Sequence, residues 1–268
     1  MNLREMIQEV QKEGYSYEDA NAKVCQDIVL KGIADSSLSR NVTIKGGVVM
    51  RSITGNVRRA TQDMDIDFIK YSLSDESIDN FIRKINCVPD IRIERKGQIT
   101  ELNQQDYKGK SVRILITDET GTKIESKIDL GVHKRFEIEQ EEYCFDIAFD
   151  DKGASLLINS KEQMFTEKLR SLLKFGTFST RYKDIFDMYY HKDRIDKTKL
   201  AVCLDSYVFS DKGMRENSMA DIIKRVEKVF SNPAYRQKVD GSDKRWIDED
   251  INTIFNGILQ YLNDYERV

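Results

Sequence analysis

Asp63, Asp65 and Asp67 alternate with Met64, Ile66 and Phe68. Residues two apart on a β-strand share a face, so this run predicts a strand with three carboxylates on one side and an apolar surface on the other. Neighbouring carboxylates repel, and partial burial strips them of water, so such a row persists where something cationic sits among them. A hard cation such as Mg²⁺, bound through one or two carboxylates together with substrate phosphates, answers that need better than a metal that prefers thiolate or imidazole. The expected chemistry is phosphoryl transfer. A calcium loop of the helix-loop-helix kind fits less well, because its Gly and Glu places, counted from Asp63, hold Phe68 and Ser74. A solvated strand edge is the plain alternative.

The neighbouring segments supply candidates for the same site. Lys123 to Val132 alternates as a strand, with Lys127 and Asp129 on the face opposite Ile128, Leu130 and Val132. Asp129 is therefore a further carboxylate on a strand that can pair beside the first. Upstream, Val42 to Ile44 reads as a short strand, Gly46-Gly47 breaks it, and Val48 to Arg51 opens a short helix. That order leaves backbone N–H groups free to meet a phosphate at a helix N-terminus, although a glycine pair alone is an ordinary turn signal. Lys45, Arg51, Arg58 and Arg59 have no acid between them, and Lys161, Lys168, Arg170, Lys174, Arg181 and Lys183 outnumber Glu162 and Glu167. Two cationic segments flanking an acidic strand suit a site for a metal and a polyphosphate.

The elements that must position these residues fall into two groups. Residues 1 to 40 read as a helical lead-in, with Leu3, Met6, Ile7 and Val10 at helix spacing and a capped start at Ser16 for a helix carrying Ala20, Val24, Ile28 and Val29. A helix is expected from about Ser74 to Asn86, then strand signals at Ile91 to Ile93 and a hairpin over 112–132 turning at Asp118 to Gly121. From about residue 160 only helical periodicity is seen, in Met164 to Leu173, Ile185 to Tyr189, Leu200 to Val208, Ile222 to Phe230 and Ile251 to Leu262. The expected architecture is an α/β (α+β) domain with a mixed or antiparallel sheet over 1–155, followed by an all-helical domain over 156–268. In the latter, Asp184 and Asp187 share a helix face with Arg181 one turn before, which is also what an ordinary salt-bridged surface would show.

Composition narrows the functional classes. With 268 residues, 40% hydrophobic and 33% charged, the chain has the make-up of a soluble globular protein and no apolar run of transmembrane length. Its start lacks the basic-then-apolar pattern of a secretory signal, so a cytoplasmic location and no membrane partner are expected. Cys25, Cys87, Cys144 and Cys203 are scattered singly and read as reduced core thiols. His133 and His191, the only histidines, are too few for a histidine-rich metal site, make a serine-histidine hydrolase unattractive, and read as surface residues. A formal net charge of −3 argues against indiscriminate coating of nucleic acid.

Taken together, the motifs resemble the AbiEii/AbiGii-type nucleotidyltransferases, toxins of type IV toxin-antitoxin and abortive-infection systems in the DNA polymerase β-like superfamily. The likeness runs from Lys45 to about Asp193. Lys45-Gly46-Gly47 matches the glycine pair, Arg59-Ala-Thr61-Gln-Asp63-Met-Asp65 the Arg-x-Ser/Thr-x-Asp-x-Asp signature, Glu167-Lys168-Leu169 a Glu-Lys-Leu helix, and Arg181 with Asp184 and Asp187 the closing element. The resemblance implies transfer of a nucleotide from an NTP, with Asp63, Asp65 and Asp129 as ligands of two Mg²⁺ ions. It implies that Gly46, Gly47, Arg59, Thr61, Lys168 and Arg181 hold the nucleotide, and that Lys168, as a mobile point charge, and Asp184 complete the catalytic set from the helical domain. The implied acceptor is RNA, at the 3′ end of tRNA, and the implied partner is a cognate antitoxin. A small hydroxylated molecule of the antibiotic type, a protein side chain, and a non-catalytic nucleotide-binding role stand as alternatives. Val48 and Val49 depart from the family, where many relatives carry a Thr or Ser, and Asp67 is an additional acid whose role the sequence leaves open.

Overall fold

The computed structural model describes residues 2–102 and 109–266; residues 1, 267 and 268, at the outer ends of the two expected domains, lie outside them. The described chain forms two compact units, Met1–Phe136 with Gln140–Asn159, and Glu137–Glu139 with Ser160–Val268.

The first unit opens with helices α1 (Leu3–Lys12) and α2 (Tyr17–Asp35), the latter capped by the Ser16 side chain, which accepts from the Asp19 amide. Strand β1 (Val42–Lys45) runs directly into α3 (Gly46–Thr54), and a 3₁₀ turn over Val57–Arg59 leads to β2 (Asp63–Phe68). Helix α4 (Asp75–Ile85), capped by Ser74, is followed by β3 (Ile91–Leu102), β4 (Gly109–Asp118), β5 (Lys123–Val132), β6 (Glu141–Ile147) and β7 (Asp150–Ile158). Among the described residues these form one seven-stranded sheet in the order β3-β4-β5-β2-β1-β7-β6. Its β2–β5 and β1–β7 pairs are parallel and the other four antiparallel, so the sheet is mixed.

Two of these strands correct the sequence reading, which assigned none to residues 133–159. Phe145 and Ile147 of β6, and Ala154, Leu156 and Ile158 of β7, are buried in alternation around a turn at residues 148–149. Strand β7 then pairs with β1 in the interior of the sheet.

Side chains of even number on β2 and β5, Met64, Ile66, Ile128 and Leu130, are buried. Phe68 belongs to this set and its ring lies 5.2 Å from that of Phe81 in α4, so α4 covers the apolar side of the sheet. The odd-numbered side chains, including every aspartate of β2, are left to the other side.

In the second unit every described element is helical: α5 (Lys161–Phe175), α6 (Tyr182–His191), α7 (Lys197–Leu204) continuing into a π-helical turn at Asp205–Phe209, α8 (Met219–Phe230), α9 (Pro233–Asp240) and α10 (Ile251–Glu266). Phe230 and Phe255 stack with centroids 4.1 Å apart, and Phe165, Phe186 and Tyr235 are also fully buried in this unit. No helix among the described residues is long and apolar enough to cross a membrane. Cys25 and Cys203 are buried as expected, whereas Cys87 and Cys144 are exposed. Both histidines are buried rather than on the surface, His133 at 4% and His191 at 0% exposure.

Candidate active site

Strand register decides which of the acidic residues meet. Asp65 lies opposite Asp129 on β5 and opposite Lys45 on β1, while Asp63 lies opposite Lys127. Directly paired residues point to the same side of a sheet, so Asp63, Asp65, Asp67, Asp129, Lys45 and Lys127 share one face. The parallel β2–β5 pairing brings the expected carboxylate of the hairpin beside the first acidic strand.

The four carboxylates are not equivalent. Lys45 Nζ stands 2.7 Å from Asp67 Oδ1, and both side chains are nearly buried. Lys127 Nζ lies 3.0 Å from Asp63 Oδ1 and 3.3 Å from Asp129 Oδ2, and the Ser111 hydroxyl donates to Asp129 Oδ1 at 2.6 Å. Part-buried Asp65 has no hydrogen-bond or ion-pair partner among the described residues. Burial pushes its carboxyl up to about 6; Lys45 pulls it down, and Asp129, Asp63 and Asp67 push it further up. Asp67, left open by the sequence, is thus committed to a lysine, and Asp65 is the uncommitted acid.

The glycine pair proves to be built around these residues. A side chain on Gly46 would collide with the Asp65 carboxylate, and Gly46 already has φ +67, a conformation costly for other residues. A Cβ on Gly47 would lie 2.5 Å from Thr61 Oγ1. Both positions therefore exclude a side chain, and the start of α3 is pressed against Asp65 and Thr61. Lys45, the N-cap, gives that helix no side-chain cap. Its first amides are the groups that bind anions at helix starts. Val48 and Val49 are fully buried, so the place where relatives carry Thr or Ser belongs to the core. Arg59 is also buried, at 3% exposure, instead of being displayed on the surface.

A network that the sequence did not suggest holds this corner. Fully buried Gln26 of α2 donates from Nε2 to the Thr61 carbonyl at 2.8 Å and accepts at Oε1 from Arg51 Nη1 of α3 at 2.7 Å. Asp27, also fully buried, takes Lys23 at 2.6 Å, Arg51 Nη2 at 3.4 Å and the Ala148 amide at 3.1 Å. Polar residues on the buried side of a helix were the only available signal, and Gln26-Asp27 interrupts an otherwise apolar stretch of α2.

The remaining predicted residues lie in the second unit. Lys168 Nζ is held 3.0 Å from Asp184 Oδ1 and 2.8 Å from Asp187 Oδ2, and the Trp246 indole donates to Asp187 Oδ1 at 3.1 Å. Lys168 is only 9% exposed, so its ammonium is fixed between two aspartates rather than extended as a mobile charge. Asp187 is fully buried, which removes the reading of a salt-bridged helix surface. Arg181, at the N-cap of α6, is exposed.

Metal capacity follows from charge and donor type. Within this cluster, four carboxylates meet two ammonium groups, leaving an excess equal to the charge of one divalent cation. The donors are all oxygen, as hard cations require. Among the described residues, however, no three His, Cys, Asp or Glu side chains converge as a ready metal cage. Asp65 and Asp129 form the available pair, and two protein carboxylates suffice for an ion that takes its other ligands from water and phosphate.

The family comparison, and not the site geometry by itself, identifies the chain as a nucleotidyltransferase. Residues 28–267 match the family described as nucleotidyl transferase AbiEii toxin, type IV TA system, and the chain belongs to that family. Membership implies a nucleoside triphosphate substrate and an antitoxin partner. Among solved structures, the chain is similar to an antigenic nucleotidyltransferase-like protein from Paracoccidioides brasiliensis, with TM-score 0.47 and 13% identity over 82% of this chain and 91% of that one. Comparison with curated proteins gives no match.

Proposed function

We propose that this toxin-family enzyme uses magnesium to transfer a nucleotide from an NTP to RNA, at the 3′ end of tRNA. The observation that carries the magnesium requirement is Asp65: an uncommitted, part-buried carboxylate opposite Asp129, within a cluster two negative charges in excess. Asp65 and Asp129 would hold the ion, with Asp63 joining when Lys127 yields it. A second ion, implied by the resemblance, would draw on phosphate oxygens as well. Magnesium, when bound, would offset charge on the triphosphate and on the departing pyrophosphate.

The chain's own groups do the rest. Backbone amides at Gly46 and Gly47 face phosphate oxygens, and the absence of side chains there lets the triphosphate approach Asp65. Gln26, through the Thr61 carbonyl, keeps this corner in register. The acceptor hydroxyl forms a bond to the α-phosphorus as the α–β phosphoanhydride bond breaks. Pyrophosphate leaves, and the hydroxyl proton passes to the Asp129 carboxylate where that residue serves as base instead of metal ligand. The family resemblance gives Lys168, Asp184 and Arg181 roles toward the nucleotide; Lys168 is held by Asp184 and Asp187 within the second unit.

Purified protein given Mg²⁺, each labelled NTP and total tRNA will label RNA, and Asp65→Ala will lower that labelling at least about 10³-fold, the scale expected when a metal-dependent step loses its ion. Unchanged labelling by the variant rules out this site. Label recovered in small molecules or protein, with RNA unmodified, selects another acceptor, and NTP binding without turnover selects the non-catalytic reading.

A further inference from the structure

The same sheet face carries a row of cations of which the mechanism uses only Lys127. Lys96 of β3 lies opposite Arg113 of β4, Arg113 lies opposite Lys127 of β5, and Lys127 lies opposite Asp63 of β2. Three strands in succession therefore present a basic side chain at one level, roughly 4.8 Å apart from strand to strand, on the side that bears the carboxylates. The next level holds Thr100, Ser111, Asp129 and Asp65.

These cations are not scattered surface charges. Lys96, Arg113 and Lys127 line one open cavity of about 490 Å³ together with Gly97, Gln98, Thr100 and Ser111. Ser111 is also the donor to Asp129, so the cavity borders the candidate metal pair directly. The regular pairing of β3 with β4 shifts between Lys96 and Thr100, where Gly97 takes φ +74, and this bulge places the Gln98 and Thr100 region in the lining. Bulges of this kind re-aim side chains beside active sites. Lys96 is paired with Glu125 and Lys127 with Asp63 and Asp129, but Arg113 is exposed and has no anionic partner among the described residues. A planar guanidinium flanked by two ammonium groups matches phosphate oxygens.

We propose that Lys96, Arg113 and Lys127 form a phosphate-binding row beside the carboxylates, which seats the phosphodiester chain of the acceptor as its terminal hydroxyl is presented to the site. The proposal rests on the nucleotidyl-transfer reading for the purpose of the row, but binding can be measured without transfer. The phosphate could belong to the acceptor chain or to the NTP, and two arms separate them. Anisotropy of fluorescein-labelled total tRNA, in EDTA and without NTP, is measured over a range of salt for wild type, the double variant Lys96→Gln/Arg113→Gln, and Arg113→Lys. Calorimetry with ATP, CTP, GTP and UTP forms the second arm.

The double variant should bind tRNA about tenfold more weakly, and the slope of log K against log salt should fall by about 1–2, because two phosphate contacts are lost. Arg113→Lys, which keeps the charge, should retain the slope. Loss of NTP affinity instead assigns the row to the triphosphate and preserves the phosphate site. The proposal is overturned if wild type binds neither ligand, or if the double variant, with an unchanged melting temperature, binds both as wild type does. A variant that melts early is replaced by Arg113→Gln alone, judged by the same two readings. Transfer by wild type that is insensitive to Asp65→Ala contradicts the catalytic reading without touching these binding results.

Discussion

Asp65 and Asp187 are both aspartates set among apolar neighbours, in different units, and their surroundings differ in one respect. Around Asp187, each oxygen has a partner: Lys168 on one, the Trp246 indole on the other, with Asp184 sharing the lysine. Around Asp65, the available lysines are spent on Asp67, Asp63 and Asp129. A compensated buried cluster fixes helices to one another, because breaking it leaves charge without water or partner. An uncompensated one favours whatever cation arrives, and here the deficit equals a divalent ion. Charge balance, more than the number of acids, distinguishes the compensated cluster from the one proposed to bind a metal ion.

The sharpest way to break this comparison is to remove the central lysine of each cluster. Lys168→Met strands Asp184 and fully buried Asp187, and should destabilise the protein by about 3–5 kcal/mol. Lys127→Met, whose partners are 55% and 13% exposed, should cost no more than about 1 kcal/mol. Chemical denaturation of both variants reads the difference, and equal losses would mean that the two clusters are alike.

The second contrast is in pH. Asp65 has its folded pKa raised to about 6, above the ordinary carboxyl value of 3.8, so metal-free protein gains stability from its protonation. That gain is complete below pH 3.8 and lost as pH rises through 6. Asp65→Asn should therefore be more stable than wild type at pH 7 by about 2 kcal/mol, part of the full effect because the residue is not wholly buried, and the advantage should vanish near pH 4. His191 behaves oppositely. Burial pushes its imidazole from 6.5 down to about 4, against the pull of Asp187 and with Lys168, Arg194 and Lys161 pushing the same way. Its neutral form stabilises the fold above pH 6.5, and that contribution is lost as pH falls through 4. His191→Gln should remove about 2–3 kcal/mol of acid sensitivity over that window. Denaturation curves at pH 4, 5.5 and 7 test both, and parallel pH profiles for wild type and either variant would refute the corresponding assignment.

Much of the candidate site could be read in the chain because its signals are local. The alternation of Asp63 to Phe68 and of Lys123 to Val132 coincides with β2 and β5, and the Ser16 and Ser74 caps start α2 and α4. The pairings that decide each acid's fate are not local. Lys45 reaches Asp67 diagonally across an antiparallel pair, and Lys127 reaches Asp63 across the parallel β2–β5 pair as well as Asp129 on its own strand. The basic row is spread over β3, β4 and β5, so no charged segment announces it. Strands β6 and β7 escaped notice because their alternation is short and broken by acids at residues 146, 150 and 151. The glycine pair looked like a common turn; only the proximity of Asp65 and Thr61 shows why side chains are excluded there.

The most direct test is a magnesium titration of EDTA-treated protein, followed by melting temperature and calorimetry, for wild type and Asp65→Asn. At about 100 times the dissociation constant, wild type should gain about 2.7 kcal/mol of stability with a saturable heat of binding, and Asp65→Asn should gain almost none. Equal stabilisation of the two proteins by magnesium would contradict the assignment of the excess charge at Asp65 to a metal ion.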